Sequence, residues 1–374
     1  MKRLAVGFLL LLSAVPSNLW AANVAADSAR GAQLFEALSC VQCHSINGKG
    51  GTVGPDLGRR IDRSFTPATL AATMWNHAPA MWAAMRDRNI RAGDLDEQAA
   101  ADLFAYFYSA HFFDRPGDAG RGKNLFGSKH CAECHGLTQA RLPTAKPVAE
   151  WESIGQPVAL VSAMWNHAAT MKTEFARRKF AWPELTSQDL TDMLVYLRNL
   201  PAARGVAART EISSGAGGEA LFQSKGCSVC HTGRLSLGPL LKNKTLTDIA
   251  AAMWNHEPRM AQTPAQLDPV EMLEIVSYLW AGEFFEDSGK PTAGGRVFAA
   301  KHCTACHNDA SSGAPALPSA GRSFTGAAMV SALWRHGPRM MEQMNGKHIA
   351  WPRFDGTQMA DVIAFLNSAG RRKP

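Results

Sequence analysis

The chain has 374 residues, of which 46% are hydrophobic and 19% charged, and its formal net charge is +7. That is the composition of a soluble globular protein, and the length suggests two to four domains. Lys and Arg are scattered rather than clustered, so the basic balance identifies no nucleic-acid partner and no membrane surface. At the start, Met1, Lys2 and Arg3 precede an apolar run from Leu4 to Val15, and small residues close it at Ala21 and Ala22. Residues 1–22 read as a secretory signal peptide, whose apolar core is too short to span a bilayer. Loss of Lys2 and Arg3 with it would leave a net charge of +5. Further on, the most apolar stretch, Leu103 to Phe113, is short and broken by His111, so no transmembrane segment is expected after signal cleavage.

The chain then presents Cys40, Cys43 and His44 as Cys-x-x-Cys-His, and repeats the pattern at Cys131, Cys134, His135, at Cys227, Cys230, His231, and at Cys303, Cys306, His307. In this pentapeptide two thiols can add across the two vinyl groups of one porphyrin while the adjacent imidazole takes the iron. A zinc knuckle would need further Cys or His converging on the same metal, and all eight cysteines are already used in the four clamps. Four covalently attached haems c are therefore expected. Export agrees with this, because covalent haem attachment in bacteria is completed outside the cytoplasm. The expected location is the periplasm.

Each clamp sits in a repeated unit. Nine residues before the first cysteine stands Gly31, Gly122, Gly218 or Gly294, and an apolar–aromatic pair follows it: Leu34 with Phe35, Leu125 with Phe126, Leu221 with Phe222, Val297 with Phe298. This spacing predicts a short helix with glycine and aromatic about one turn apart. Beyond the clamp comes a loop containing Pro55, Pro143, Pro239 or, in the fourth unit, Gly313 to Leu317. A proline there can offer a backbone carbonyl to the second nitrogen of the iron-bound His. Next come Met74-Trp75-Asn76-His77 with Met81, Met164-Trp165-Asn166-His167 with Met171, Met253-Trp254-Asn255-His256 with Met260, and Leu333-Trp334-Arg335-His336 with Met340. Each unit closes on an amphipathic helix, carrying Leu103, Phe104, Tyr106 and Phe107 in the first, and Leu190, Met193, Leu194 and Leu197 in the second. Met272, Ile275, Tyr278 and Leu279, then Val362, Ile363, Phe365 and Leu366, are their counterparts. These are core positions.

Each unit resembles a class I cytochrome c domain. The resemblance implies an all-α fold of four tandem cytochrome c-type domains, each with one covalently bound haem, over residues 27–113, 117–200, 214–285 and 290–370. It also implies that Gly31 and Phe35 pack against Tyr106 where the first and last helices cross, and that Met81, Met171, Met260 and Met340 bind the far side of each iron. A finer pattern groups the units. Phe112-Phe113-Asp114 matches Phe284-Phe285-Glu286, Lys129-His130 matches Lys301-His302, and Trp182-Pro183 and Trp351-Pro352 mark only the even units. This resembles a duplicated dihaem cytochrome of the c4 type, with units 1 and 2 in one half and units 3 and 4 in the other. The long linker from Pro201 to Gly217 separates them.

His77, His167, His256 and His336 are alternative distal ligands. The choice between His and Met matters because Met raises the reduction potential relative to a second His. Pro79, Pro258 and Pro338 fall between the two candidates, and a proline that ended the helix there would carry the Met onto a loop. The reading favours Met, leaving the four His and the neighbouring Trp against the haem edge. His111, His130, His302 and His348 do not recur and are read as surface or haem-edge residues. Irons with both axial positions filled point to single-electron transfer between redox protein partners. A haem enzyme such as a peroxidase, with one open iron, is the competing class, and the accepting subunit of a dehydrogenase is a third. There is no Gly-rich phosphate loop, nucleophile elbow or His-Glu-x-x-His zinc motif.

Overall fold

The computed structural model describes residues 26–58, 66–91, 93–110, 117–203, 212–241, 244–260, 264–284, 289–317 and 324–369. The signal segment, His111, the Phe112-Phe113-Asp114 triplet, and Phe285 with Glu286 lie outside the described residues. Within them the protein is helical apart from one two-residue antiparallel ladder that pairs Ser45–Ile46 with Lys49–Gly50. No helix among the described residues is long and apolar enough to cross a membrane.

One packing motif recurs four times. Opening helices Ser28–Ala37, Ala119–Ser128, Gly218–Ser224 and Pro291–Ala300 each cross a closing helix, respectively Glu97–Ala110, Ser187–Arg198, Pro269–Phe284 and Gly356–Ala369. The crossing point is the repeated glycine. A Cβ on Gly31 would lie 2.1 Å from the Asp102 carbonyl oxygen, one on Gly122 2.1 Å from that of Asp192, and one on Gly294 1.8 Å from that of Asp361. Only a residue without Cβ lets the two backbones approach so closely. The aromatic one turn later then meets the closing helix: ring centroids are 5.8 Å apart for Phe35–Tyr106, 6.0 Å for Phe126–Tyr196, 6.3 Å for Phe222–Tyr278 and 5.5 Å for Phe298–Phe365. The expected Gly–aromatic contact is present in every unit.

A carboxylate locks each crossing, buried in the first, second and fourth units and half-buried in the third, a feature the hydrophobic pattern did not reveal. Asp102 accepts from the Asp27 amide at 2.7 Å and from Arg30 at 2.9 Å, and Asp192 accepts from the Asp118 amide at 2.8 Å and from Arg121 at 2.7 Å. Asp361 takes the Lys290 amide at 2.6 Å, and in the third unit Glu274 takes Ser213 Oγ and the Gly217 amide. These amides belong to the first turn or cap, where no intrahelical acceptor exists. Threonines start the other helices by the same logic, Thr66 and Thr325 as N-caps and Thr186 and Thr245 in full capping boxes.

Between opening and closing helices lies a middle segment: Pro67–Asp87, Pro157–Asn166 followed by Ala168–Arg178, Leu246–His256, and Gly326–Gly346. Here two expectations fail. Pro79 and Pro338 sit inside continuous helices rather than ending them. A proline in a helix orphans the carbonyl four residues back, which for Pro79 is that of Trp75, and the indole Nε1 of Trp351 donates to this oxygen at 2.9 Å. A partner from another unit thus removes part of the cost. The second failure is the grouping of units. Middle helices pack the first unit against the fourth and the second against the third. The reason is the Trp-Asn dipeptide, whose side chains grip the loop ahead of the partner's closing helix. Trp75 Nε1 donates to Pro352 O at 2.8 Å while Asn76 pairs with both backbone groups of Phe354 at 2.7 and 2.8 Å. Trp165 donates to Ala265 O, and Asn166 pairs with Leu267. Reciprocally, Trp254 donates to Pro183 O, and Asn255 pairs with Leu185. An amide side chain that satisfies the N–H and C=O of one residue copies a rung of β-sheet, which suits a buried loop whose backbone must be paired.

Candidate haem-binding sites

Each clamp starts from a left-handed residue directly before its first cysteine: Ser39 at φ 63°, His130 at 63°, Gly226 at 79° and His302 at 61°. Only the third unit uses glycine, the residue that adopts this conformation without steric cost. His130 and His302 therefore turn the chain into the clamp. His130 also stacks on Phe180 at 3.9 Å. His348, at φ 55°, follows the end of the fourth unit's middle helix.

Burial pushes the thiol of Cys40 up to about 11, that of Cys131 up to about 12 and that of Cys303 up to about 11. Cys227 and Cys134 are raised for the same reason. Thiol–disulfide exchange requires thiolate, so the raised first thiol of each clamp does not favour it.

The proximal imidazoles are fixed by backbone carbonyls. His44 Nδ1 donates to Pro55 O at 3.0 Å and His307 Nδ1 to Pro315 O at 2.9 Å, as the loop prolines suggested. In the second and third units the acceptor differs: His135 Nδ1 donates to Lys146 O at 2.9 Å and His231 Nδ1 to Leu235 O at 3.4 Å, in place of Pro143 and Pro239. The requirement is a carbonyl at the right depth, and any residue can supply one. Each bond holds the proton on Nδ1 and leaves Nε2 free as a metal donor.

Across from these rings stand the middle-segment histidines. Centroids are 6.0 Å apart for His44–His77, 6.0 Å for His135–His167 and 5.9 Å for His231–His256, with interplanar angles of 73°, 76° and 57°. Two imidazoles sharing one metal require a similar spacing, roughly 6 Å, from two bonds of about 2 Å and a ring radius of about 1 Å on each side. Burial, reinforced by the facing His44, pushes His77 below the usual imidazole range. His256 is lowered by burial, then by His231 and Arg259, and His135 by burial and by His167 against the pull of its Lys146 bond. The neutral imidazole is the ligating form. His167 Nδ1 bonds to Ala163 O, which again leaves Nε2 free. Among the described residues the fourth unit has no such ring pair, and His336 is exposed.

Met81, Met171, Met260 and Met340 are half-buried and pack against the apolar core. In the first unit His77 and Met81 lie one turn apart on a single helix face, and His336 and Met340 do so in the fourth. The tryptophans take part in the contacts between units, which the sequence reading did not expect: Trp75 stacks on Trp351 at 5.1 Å, and Trp254 on Trp182 at 4.3 Å. The sequence did carry a signal for this role, a polar Asn recurring beside a buried Trp where neither ligation nor core packing needs it.

In the second unit these parts enclose a cavity of about 1160 Å³, walled by Cys131, Cys134, His135, Trp151, His167 and Met171. A covalent clamp at one side, facing imidazoles and apolar walls are the donor set and shape that a haem requires. The Cytochrome c family model matches residues 28–110 and 119–201 of this chain. No curated protein and no solved structure matches it.

Proposed function

We propose that this chain, which carries cytochrome c domains at residues 28–110 and 119–201, is a four-haem electron carrier of the periplasm. Cytochrome c domains hold haem covalently and transfer electrons through it. Extension of the same reading to residues 214–285 and 290–370 is supported by the clamps at Cys227 and Cys303 and by the repeated helix crossings at Gly218 and Gly294. Cys40, Cys43, Cys131, Cys134, Cys227, Cys230, Cys303 and Cys306 would hold the four porphyrins, with His44, His135, His231 and His307 on the proximal side. The haem supplies a one-electron iron couple, and the chain's own residues set its ligation, tautomer and burial.

The observation that carries the reading is the facing pair of imidazoles in three units. It favours His77, His167 and His256 over Met81, Met171 and Met260 as sixth ligands, because the ring spacing already suits a shared metal. His336 is the corresponding ligand of the fourth unit. Irons closed on both sides have no site for substrate, which favours redox relay over catalysis, and a second imidazole favours lower potentials than Met would give. A spectroelectrochemical titration of the purified holoprotein tests this. Four haems per chain, all low-spin in both states, are expected; fewer haems, or an exported protein without colour, would contradict it.

The fourth unit supports a second reading. His336 is exposed and unpaired with His307 across the site, so this is the one iron that a haem enzyme would leave open. Rapid carbon monoxide binding by one haem in four, without denaturant, would favour that reading.

A further inference from the structure

The units have an order in space that differs from their order in the chain. The fourth grips the first, with Trp351 stacked on Trp75. The first meets the third: the Tyr108 ring lies 4.6 Å from Trp280 and 5.4 Å from Phe284, and Ser28 exchanges hydrogen bonds of 3.1 and 2.8 Å with Ile212, in the linker just ahead of the third unit. The third grips the second, with Trp254 stacked on Trp182. Among the described residues no hydrogen bond, ion pair or ring pair joins the second unit to the first or the fourth.

We infer that electrons pass through this protein in the order fourth, first, third, second unit, across the aromatic junctions Trp351–Trp75, Tyr108–Trp280 and Trp254–Trp182. The second and fourth units are then the two ends of the relay. This rests on the reading of all four clamps as haem sites. Each outer junction is tied to a ligand candidate, since Trp75 and Trp254 precede His77 and His256 by two residues on the same helix. On the far side of the Trp254–Trp182 stack, Trp182 lies 6.0 Å from Phe175, which walls the second unit's cavity. A hop takes one electron from a ferrous to a ferric iron. No bond forms or breaks, and the rings end as they began.

The test is made on the full-length holoprotein with His167→Gly, which opens the second unit's iron to carbon monoxide as an optical reporter. Photolysis of the partly reduced complex sends electrons away from that iron. A fast phase into the third unit and a slower one into the first and fourth are expected. Tyr108→Leu should slow only the slower phase, by about tenfold, Tyr108→Phe should restore it, and Trp182→Leu should slow the fast phase. The far-UV exciton couplet of the stacked indoles supplies a readout independent of electron flow, unchanged in Tyr108→Leu and reduced in Trp182→Leu. Unaltered phases in Tyr108→Leu and Trp182→Leu, with haem content and couplet as stated, would overturn the order. So would slowing of the fast phase by Tyr108→Leu. If Tyr108→Leu loses haem, the comparison rests on Trp182→Leu, where an unaltered fast phase overturns the inference. Fewer than four haems in the unsubstituted protein would contradict the haem assignment instead.

Discussion

The contact between units 2 and 3 and that between units 1 and 4 are built on one plan and differ in one clasp. In the inner pair both Trp-Asn dipeptides are intact, so each unit grips the other through an indole N–H and an amide that satisfies both backbone groups of Leu185 or Leu267. Ser162 adds a buried bond to Leu267 O at 2.8 Å. In the outer pair one clasp keeps this form, but the other replaces Asn by Arg335. Trp334 still donates to Gly93 O at 2.7 Å, while Arg335 reaches only the Asp94 carboxylate, whose side chain is 73% exposed. A backbone-satisfying amide in a part-buried loop and an ion pair in water occupy the same place and are worth different amounts.

The largest effect is expected from Trp254→Ala. The residue is fully buried and supplies both a hydrogen bond and a stacked face, so its loss should cost about 3–5 kcal/mol in denaturant unfolding of the inner pair. Asn255→Ala removes both bonds to Leu185 and leaves a backbone amide and carbonyl without partners, at a cost of about 1–3 kcal/mol. Hydrogen exchange at the Leu185 amide reads this directly.

These two clasps also mark where the sequence stopped being legible. The clamps, the Gly–aromatic crossings at Gly31 and Gly122 and the periodicity of the closing helices could be read because each depends on residues within one unit. The pairing of units could not, since Trp75 and Pro352 are 277 residues apart and nothing local to Asn76 says which loop it will hold. The same holds for Pro79, which reads as a helix stop until Trp351 arrives to cap the carbonyl it orphans. The carbonyls behind His135 and His231 escaped for a different reason: depth in the fold selects them, and side-chain identity does not.

Acid should act through the helix crossing of the second unit. Burial pushes the Asp192 carboxyl up, but Arg121 and the bonds from the Asp118 amide and Gln188 outweigh it and hold the group below the usual carboxylate range. A depressed folded value means that its stabilisation is fully present above the unfolded value of about 3.9 and is lost as pH falls through the folded one. Asp192→Asn should therefore lower stability at neutral pH and flatten the acid limb of the unfolding midpoint below about pH 4. The smallest effect belongs to Arg335→Ala, about 0.5 kcal/mol or less, because an exposed ion pair returns little. High salt should reproduce that loss in the outer pair, as exchange at residues 93–95 would register, and should cost the inner pair a comparable amount through its own exposed ion pair, Arg259–Glu184 at 3.0 Å.

Near-infrared magnetic circular dichroism of the fully oxidised holoprotein tests most directly the claim that each iron in the first three units lies between two imidazoles. Charge-transfer bands of bis-imidazole haem, with intensity for at least three of the four, are the expected result. A sulfur-to-iron band with intensity for two or more haems would contradict it and return Met81, Met171 and Met260 to the irons.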